Sequence, residues 1–247
     1  MEYKWTIVIS IASILVFLSL ITNTNTQIAG VLGLSDEIVI NASIPDSQEY
    51  PYYRVVDEEH EIWSKPELMK PKESLPSDED ALRIADQYIL EHGGFPEGAY
   101  LEGVDSVYVW SVNKMTNEVI KRDPIIVEVT YNRFVDDVQV FGPGDAICIA
   151  IGENGEILYF SRTWKILEYA GNKKMIPVKM AIDMLRKGDV IESSIGSSGH
   201  IEINKIEVGY FSENSGTEQE FYDPVWIFRG VDSQGKDVTR IVKGVLN

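Results

Sequence analysis

The feature that most constrains this chain is the unbroken uncharged run at residues 5–21. A helix of that length rises about 26 Å, close to the roughly 30 Å hydrocarbon core of a bilayer. Lys4 and the terminal amine precede the run, and the next Lys or Arg after it is Arg54. Under the positive-inside rule, this predicts a cytoplasmic start and transmembrane signal anchor over residues 1–22. The predicted localisation is therefore the cell membrane, with a single pass and the bulk of the chain extracytoplasmic.

A cleaved signal peptide is the alternative interpretation of the same run. Signal peptides have an apolar core of about 7–15 residues followed by small residues at the cleavage site. The run here is longer, and residues 22–30 offer only a poor small-x-small site. Both interpretations place most of the chain outside the cytoplasm, and the first also makes the membrane a predicted partner.

The segment that follows, residues 23–74, is predicted to be an extracytoplasmic stalk or linker. It has little hydrophobic periodicity, an acidic cluster at Asp57–Glu61, and four prolines: Pro45, Pro51, Pro66 and Pro71. Proline and charge together are typical of linkers. Within the segment, Ile38-Val-Ile40 and Tyr53-Arg-Val-Val56 could add short edge strands.

The net charge of −17 argues against nucleic acid as a partner, because such binding depends on Lys and Arg contacts to phosphate. The single cysteine, Cys148, lies in an alternating apolar run and is predicted to be a buried strand residue. Asn41-Ala42-Ser43 fits the N-glycosylation sequon, so Asn41 is a candidate glycosylation site.

The remaining sequence shows the same order of elements twice. Ser77 and the acids after it predict a helix from about 78 to 92 that ends at Gly93-Gly94. Alternating strands and an Asn154-Gly155 hairpin follow. A second helix over 177–188 then precedes strands at 201–211, 225–231 and 238–245. The predicted fold class is α+β: an N-terminal transmembrane helix, then two tandem units at 75–170 and 171–247, each a helix packed on an antiparallel sheet.

Short motifs in both predicted units resemble a known family. The first lies in Tyr131-Asn-Arg133, Val140-Phe-Gly-Pro-Gly144, Ile149–Ile151, Gly155 and Ile157, and the second is Pro224-Val-Trp-Ile-Phe228. They resemble PepSY-like extracytoplasmic domains and are similar to the YycH/YycI type of membrane-anchored regulator. The first hairpin departs from that pattern, with Asp136-Asp137 where Asp/Asn-Gly is expected. The resemblance implies binding or restraint of proteins such as kinases and peptidases, and it carries over no catalytic residues.

The sequence offers no catalytic set, metal site or cofactor site. The histidines form no HExxH or other zinc spacing, the serines form no GxSxG elbow, and the glycine-rich turns lack the Lys-Ser/Thr of a P-loop. The paired carboxylates Asp136-Asp137 and Asp57–Glu61 could serve glycoside hydrolysis or weak calcium binding. Because this chain has 39 acids, exposed turn and linker carboxylates are the simpler interpretation.

Aromatic residues along the predicted strands are candidates for protein binding. Packing in the core explains most of them, but a subset on an uncovered sheet face would contact a partner. The candidates are Tyr131, Arg133, Trp110, Trp164 and Trp226. The leading expectation is a non-enzymatic, outward-facing domain that binds or regulates a membrane or envelope protein. The alternative is an envelope hydrolase, or an accessory to one, that uses acidic residues; the sequence leaves the oligomeric state open.

Overall fold

The computed structural model describes residues 7–9, 37–46, 48–66, 68, 70–112, 119–193 and 200–246. Strands far outnumber helices in these residues. In chain order the elements are β1 (Ile7–Ile9), β2 (Glu37–Ile40), β3 (Glu49–Ser64), α1 (Asp78–Glu91), β4 (Ala99–Val112), β5 (Val119–Val135), β6 (Val138–Phe141), β7 (Ala146–Ile151), β8 (Ile157–Lys174), α2 (Val178–Arg186), β9 (Glu192–Ser193), β10 (His200–Phe211), β11 (Phe221–Tyr222), β12 (Pro224–Asp232) and β13 (Asp237–Lys243).

The predicted α+β class is wrong, because the described part of the chain is mainly β. Helix is confined there to α1, α2 and a single 3-10 turn at Glu153–Gly155. The strands are much longer than their alternating apolar segments suggested: β3, β5 and β8 have 16, 17 and 18 residues. Backbone pairing continues into exposed, charged or proline-containing sequence, where side-chain periodicity gives no signal.

The predicted transmembrane signal anchor, and the cell-membrane localisation that rested on it, are also corrected. Within the described ranges, no helix combines the length and the apolar character needed to cross a membrane. Inside the predicted anchor, β1 is extended and pairs antiparallel with Val109–Ser111 of β4. Its Ile-Val-Ile sequence is β-branched throughout and favours a strand over a helix. The rest of residues 1–22 lies outside the described residues.

The chain forms two compact units, each built from segments that are not consecutive. Unit 1 comprises Met1–Thr26, Glu59–Arg133 and Asp145–Trp164, and unit 2 comprises Gln27–Glu58, Phe134–Gly144 and Lys165–Asn247. Each unit takes residues from three stretches of the sequence, whereas the predicted units, 75–170 and 171–247, are continuous stretches.

The predicted linker also contains regular structure. Within residues 23–74 lie β2 and the 16-residue strand β3. Most β3 side chains are exposed or half-buried, so the strand lacks the alternation by which strands are found in a sequence. Pro51 lies inside β3 although proline cannot donate to a ladder, and this also concealed the strand.

In unit 1, α1 packs on an antiparallel sheet. The strand order is β1–β4–β5–β7–β8, and every pairing in it is antiparallel. The fully buried α1 residues Ala81, Ala85 and Ile89 belong to the same core cluster as Val129 and Ile149. Odd-numbered residues from Val127 to Tyr131 of β5 and from Ile147 to Ile151 of β7 therefore face the helix, and even-numbered residues between them lie on the opposite face.

The signals that predicted α1 are confirmed. Ser77 Oγ accepts a hydrogen bond from the Asp80 amide at 3.2 Å and donates one to the Asp80 carboxylate at 2.9 Å. Gly93 and Gly94 both have positive φ, and the Gly94 amide donates to the Ile89 carbonyl at 2.8 Å. The cap satisfies an otherwise orphaned amide, and the two glycines provide the left-handed exit.

In unit 2, α2 packs on a second sheet. Its antiparallel strands run in the order β10–β12–β13–β9, while β2 and β6 each pair in parallel with β10. The buried α2 residues Ala181 and Leu185 share a core cluster with Ile203, Trp226 and Phe228. The fully buried Trp226 also donates through Nε1 to the Ile176 carbonyl at 3.1 Å, just before the helix starts.

Two predicted turns are present. Asp136 and Asp137 join β5 to β6 with φ of 48° and 64°, and the Tyr53 hydroxyl donates to the Asp136 carboxylate. Asn154 and Gly155 join β7 to β8 with φ of 56° and 75°. Asp and Asn tolerate the left-handed region better than other side chains, so the first turn forms without glycine.

Replacing Trp226 with Phe should destabilise the protein by about 2 kcal/mol. The change removes the donor to the Ile176 carbonyl and leaves a small cavity among fully buried side chains. Urea unfolding of the purified protein measures the loss. Tyr169→Phe is the control, since Tyr169 is 63% exposed. This change should lower the free energy of unfolding by no more than about 0.5 kcal/mol. Equal stability of Trp226→Phe and the parent protein would contradict this role.

Candidate protein-binding site

Three of the predicted binding residues lie together in the core of unit 1. Arg133 Nη1 is 3.3 Å from Asp145 Oδ2, and its Cζ is 5.2 Å from the ring centroid of Trp164. Tyr131 donates its hydroxyl to the Asp86 carboxylate. Burial, and then this carboxylate, raise the pKa of Tyr131, so the hydroxyl stays a donor. Tyr131, Arg133 and Trp164 are at most 9% exposed, and they tie β5 to its neighbours instead of offering a free surface.

The other unit contains two more of the predicted residues. Trp226 is fully buried beneath α2, as described above. Asn41 is exposed at the end of β2, and its Nδ2 donates to Glu202 Oε1 at 2.7 Å. The structure does not test glycosylation, which stays a prediction for Asn41.

Trp110 is the candidate that keeps a partly exposed side chain. It lies on β4 directly opposite Arg122 of β5. The Arg122 guanidinium carbon is 5.0 Å from the Trp110 ring centroid and 3.6 Å from that of Tyr108. A guanidinium over aromatic faces is attracted by the ring quadrupoles, and the three side chains form one stack. We call Tyr108, Trp110 and Arg122 the aromatic–arginine stack.

The stack lies on an extension of the sheet formed by β4 and β5, which we call the β4–β5 ribbon: residues 105–112 and 119–126. β1 adds a short third strand to it at Val109–Ser111. In the described registers β5 pairs with β7 only at Val127–Tyr131, so the ribbon lies beyond that pairing. Val107, Val109 and Ile125 are buried on one face of the ribbon. By strand alternation Tyr108 and Trp110 project from the other face.

Exposed apolar side chains lie at both ends of β4. Val119 and Ile120, on the strand opposite its last residues, are 51% and 57% exposed. At the first residues of β4, Leu101 is 42% exposed. Phe95 is 39% exposed and lies near Leu101. Its ring centroid is 5.1 Å from that of Tyr131, and Tyr131 is the cross-strand partner of Leu101. Large exposed apolar side chains beside a partly exposed aromatic stack are typical of an interaction surface.

The outer edge of β4 pairs with another strand along a short stretch. In the described registers this stretch is Val109–Ser111, which pairs with β1. The outer edge of β5 is less accessible, since the Lys72 amide donates to the Pro124 carbonyl at 2.9 Å. An edge strand with unpaired amides and carbonyls is a template for a further strand.

The charges along this edge are polarised. Glu102 and Asp105 are exposed near the first residues of β4. Lys121 and Arg122 are exposed opposite its last residues, and Lys121 forms an ion pair of 2.7 Å with Asp123. One end of the strand therefore presents negative charge, and the other end carries a local positive charge.

Sequence reasoning selected Trp110 as a binding candidate, counted Tyr108 among the aromatic strand residues without selecting it, and missed Arg122. Tyr108 carried a usable signal, because it stands two residues before Trp110 on the same strand face. Arg122 carried none, since its contact depends on the β4–β5 register, which includes shifts at Leu101/Gly103, Val107/Tyr108 and Ser111/Val112.

The acidic residues that suggested a hydrolase do not converge in the described part of the chain. Asp136 is the acceptor for Tyr53 in a hairpin turn, and Asp57 accepts from the Glu58 amide at 2.8 Å within β3. Among the described residues, no group of three His, Cys, Asp or Glu side chains could hold a metal ion.

One buried carboxyl in unit 1 is perturbed. Glu128, on the face opposite α1, is 8% exposed, and Asp105 is its cross-strand partner on β4. Burial raises the pKa of Glu128 from 4.5 to about 7. The hydrogen bond that the Cys148 thiol donates to the Glu128 carboxylate lowers the pKa, but burial has the larger effect. Burial also raises the pKa of Cys148 well above its ordinary value, so this thiol remains protonated and unreactive at neutral pH. The expected burial of Cys148 is confirmed.

Stability should fall as the pH rises from about 4.5 to about 7, and Glu128 should be one cause. The unfolded carboxyl titrates near 4.5 and the folded one near 7, so the folded state binds more protons in this window. The full effect is about 3 kcal/mol. Glu128→Gln mimics the protonated form, and it should match the parent near pH 4.5 and exceed its stability at pH 8 in urea unfolding. A constant difference between the two proteins across this range would refute the assignment.

Comparison with known proteins adds little to what the geometry of the site indicates. No protein-family model matches the sequence, and no curated protein does. Among solved structures, an uncharacterized protein from Eubacterium rectale ATCC 33656 is similar, with 14% identity and a TM-score of 0.37 over 71% of this chain and 55% of that chain. This chain therefore spans about half the length of that structure. A likeness this distant establishes no shared function, and the PepSY-like resemblance stays a prediction.

Proposed function

We propose that this protein is a non-enzymatic binding module that takes up an extended segment of a partner protein along the outer edge of β4. The observation that carries the proposal is the partly exposed aromatic–arginine stack, which lies on a strand whose outer edge is largely unpaired in the described registers.

The backbone of β4 supplies the first part of the affinity. An extended segment added to a sheet edge forms main-chain hydrogen bonds that do not depend on its sequence. The antiparallel pairing of β1 with Val109–Ser111 supports this mode, because it shows that the edge is compatible with a strand. From Leu101 to Tyr108, which precedes the residues that β1 pairs, the edge is about 24 Å long, and an extended segment of about eight residues would cover it.

The aromatic–arginine stack supplies the second part. Trp, Tyr and Arg are the side chains that most often dominate binding energy at interfaces. Here Arg122 is already held over both rings, so little rotamer entropy remains to be lost when a partner arrives. Val119 and Ile120 add exposed apolar area beside the stack.

The charges predict the direction and composition of the partner segment. In antiparallel pairing its first residues lie opposite Tyr108, whose ring contacts Arg122, and its last residues lie near Glu102 and Asp105. The complementary segment is therefore apolar in the middle, acidic at its N-terminal end and basic at its C-terminal end. The PepSY-like resemblance supports the same class of function, since it implies binding or restraint of other proteins.

A labelled peptide tests the proposal. The probe has about eight residues of alternating Thr and Ile, capped ends, Glu at the N-terminal end and Lys at the C-terminal end. The control peptide exchanges Glu and Lys. Fluorescence anisotropy with the full chain should show the probe binding about tenfold more tightly than the control at low salt, with the difference shrinking at high salt. Equal affinities at low salt would contradict the proposed polarity.

Variants of the stack complete this prediction. Tyr108→Ala and Arg122→Ala should each weaken binding of the probe by roughly tenfold or more. Tyr169→Ala, which removes an exposed aromatic side chain of unit 2, is the matched control and should leave the affinity unchanged. The proposal fails if the probe does not bind the parent protein, or if all three variants bind it as the parent does.

A further inference from the structure

Unit 2 contains a cavity of about 250 Å³ that plays no part in the proposed protein binding. It lies between the loop after β10 and the segments around the start of β12 and the end of β13. Its apolar lining includes Ile191, Phe211, Phe221, Val225 and Val245. Since a water molecule takes about 30 Å³ of the liquid, the volume corresponds to roughly eight waters, or a ligand of about ten non-hydrogen atoms.

Charges of both signs line this apolar cavity. The lining includes two acidic residues, the half-buried Glu213 and the exposed Glu218, and one basic residue, the exposed Lys243. Among the described residues, none of these three groups forms an ion pair with a side chain of opposite charge. A ligand that is both positively and negatively charged would therefore find a partner for each of its charges here.

A neighbouring part of the lining already holds an ammonium group. Lys173 Nζ is 2.7 Å from the carboxylate of Asp223, which lines the cavity. It is also 5.3 Å from the ring centroid of Phe221, another lining residue, and 4.3 Å from that of Tyr52. A carboxylate next to aromatic faces stabilises ammonium groups, and this wall combines the two.

Buried polar contacts hold the acidic wall in place. Lys165, 1% exposed, donates to the Ser212 hydroxyl at 3.0 Å and to the Glu213 carbonyl at 2.7 Å. Gln219 accepts from the Glu213 amide at 2.9 Å and donates to the Phe211 carbonyl at 2.8 Å. These contacts fix the backbone of the loop at Glu213 from both sides, so less backbone entropy is lost when a ligand binds.

We propose that this cavity binds a free α-amino acid with an apolar side chain of about the size of leucine. The ammonium group faces Glu213 and Glu218, the carboxylate faces Lys243, and the side chain occupies the apolar lining. This proposal is independent of the proposed binding along β4, and either one can fail without the other.

Isothermal titration calorimetry of the full chain with three probes tests the proposal. L-leucine carries both charges, 3-methylbutylamine lacks the carboxylate, and 4-methylpentanoate lacks the ammonium. Leucine should bind most tightly, and each of the others should bind about tenfold more weakly. Absence of leucine binding at millimolar concentration, or binding of 4-methylpentanoate as tightly as leucine, would overturn the proposal.

Variants assign the charges to residues. Glu213→Gln and Glu218→Gln should weaken leucine and 3-methylbutylamine alike, whereas Lys243→Gln should weaken leucine but not 3-methylbutylamine. Glu220→Gln changes an exposed glutamate of the same loop outside the cavity lining, and it should bind all probes as the parent does. Circular dichroism confirms that each variant is folded. A loss of leucine binding in Glu220→Gln equal to that in Glu213→Gln would show a general charge effect and overturn the assignment.

Discussion

The antiparallel register of β5 with β4 and β7 is the constraint on which the rest of unit 1 depends. It turns Val129 and Tyr131 toward α1 and places Glu128 on the opposite face. Because side chains alternate with a period of two, a slip of one residue would bury Glu128 against α1 and move Val129 to the face of Cys148 and Ala150. The same register sets Arg122 opposite Trp110, so the packing of the core and the geometry of the proposed binding surface depend on one set of backbone hydrogen bonds.

Buried polar groups strengthen this register while limiting stability. Arg133 and Asp145 form a shielded ion pair, and removing either partner would leave an uncompensated charge in the core. Glu128 is buried with an acidic cross-strand partner, Asp105, and its ionisation costs free energy at neutral pH. Both features place polar groups inside the sheet at some cost in stability. An apolar residue at position 128 would not titrate, so the free energy of unfolding would lose the pH dependence that Glu128 gives it.

Local signals in the sequence predicted local structure and little beyond it. The Ser77 cap and the Gly93-Gly94 stop located α1, and Asn154-Gly155 located a hairpin, because each rests on contacts a few residues apart. Of the 16-residue β3 the sequence indicated only a short strand at Tyr53–Val56, because the exposed side chains leave no alternation. It also mistook β-branched residues 7–9 for part of a helix. At the site, aromatic residues were identified as a class, but their burial depends on packing between distant segments. Trp110 stayed partly exposed while Trp164 and Trp226 did not, and no local pattern distinguishes them.

Charge acts on the proposed partner at two distances. The net charge of −17 gives the chain a field that attracts basic partners and repels acidic ones, with a range limited to about 10 Å at 0.1 M salt. Within that range Glu102 and Asp105 reinforce the field, whereas Lys121 and Arg122 oppose it locally. The field therefore attracts the basic end of the proposed partner segment first. The acidic end is attracted only close to Arg122. Since steering mainly changes association rates and close contacts mainly change dissociation rates, the acidic half of the edge controls the rate of encounter and the stack controls the lifetime of the complex.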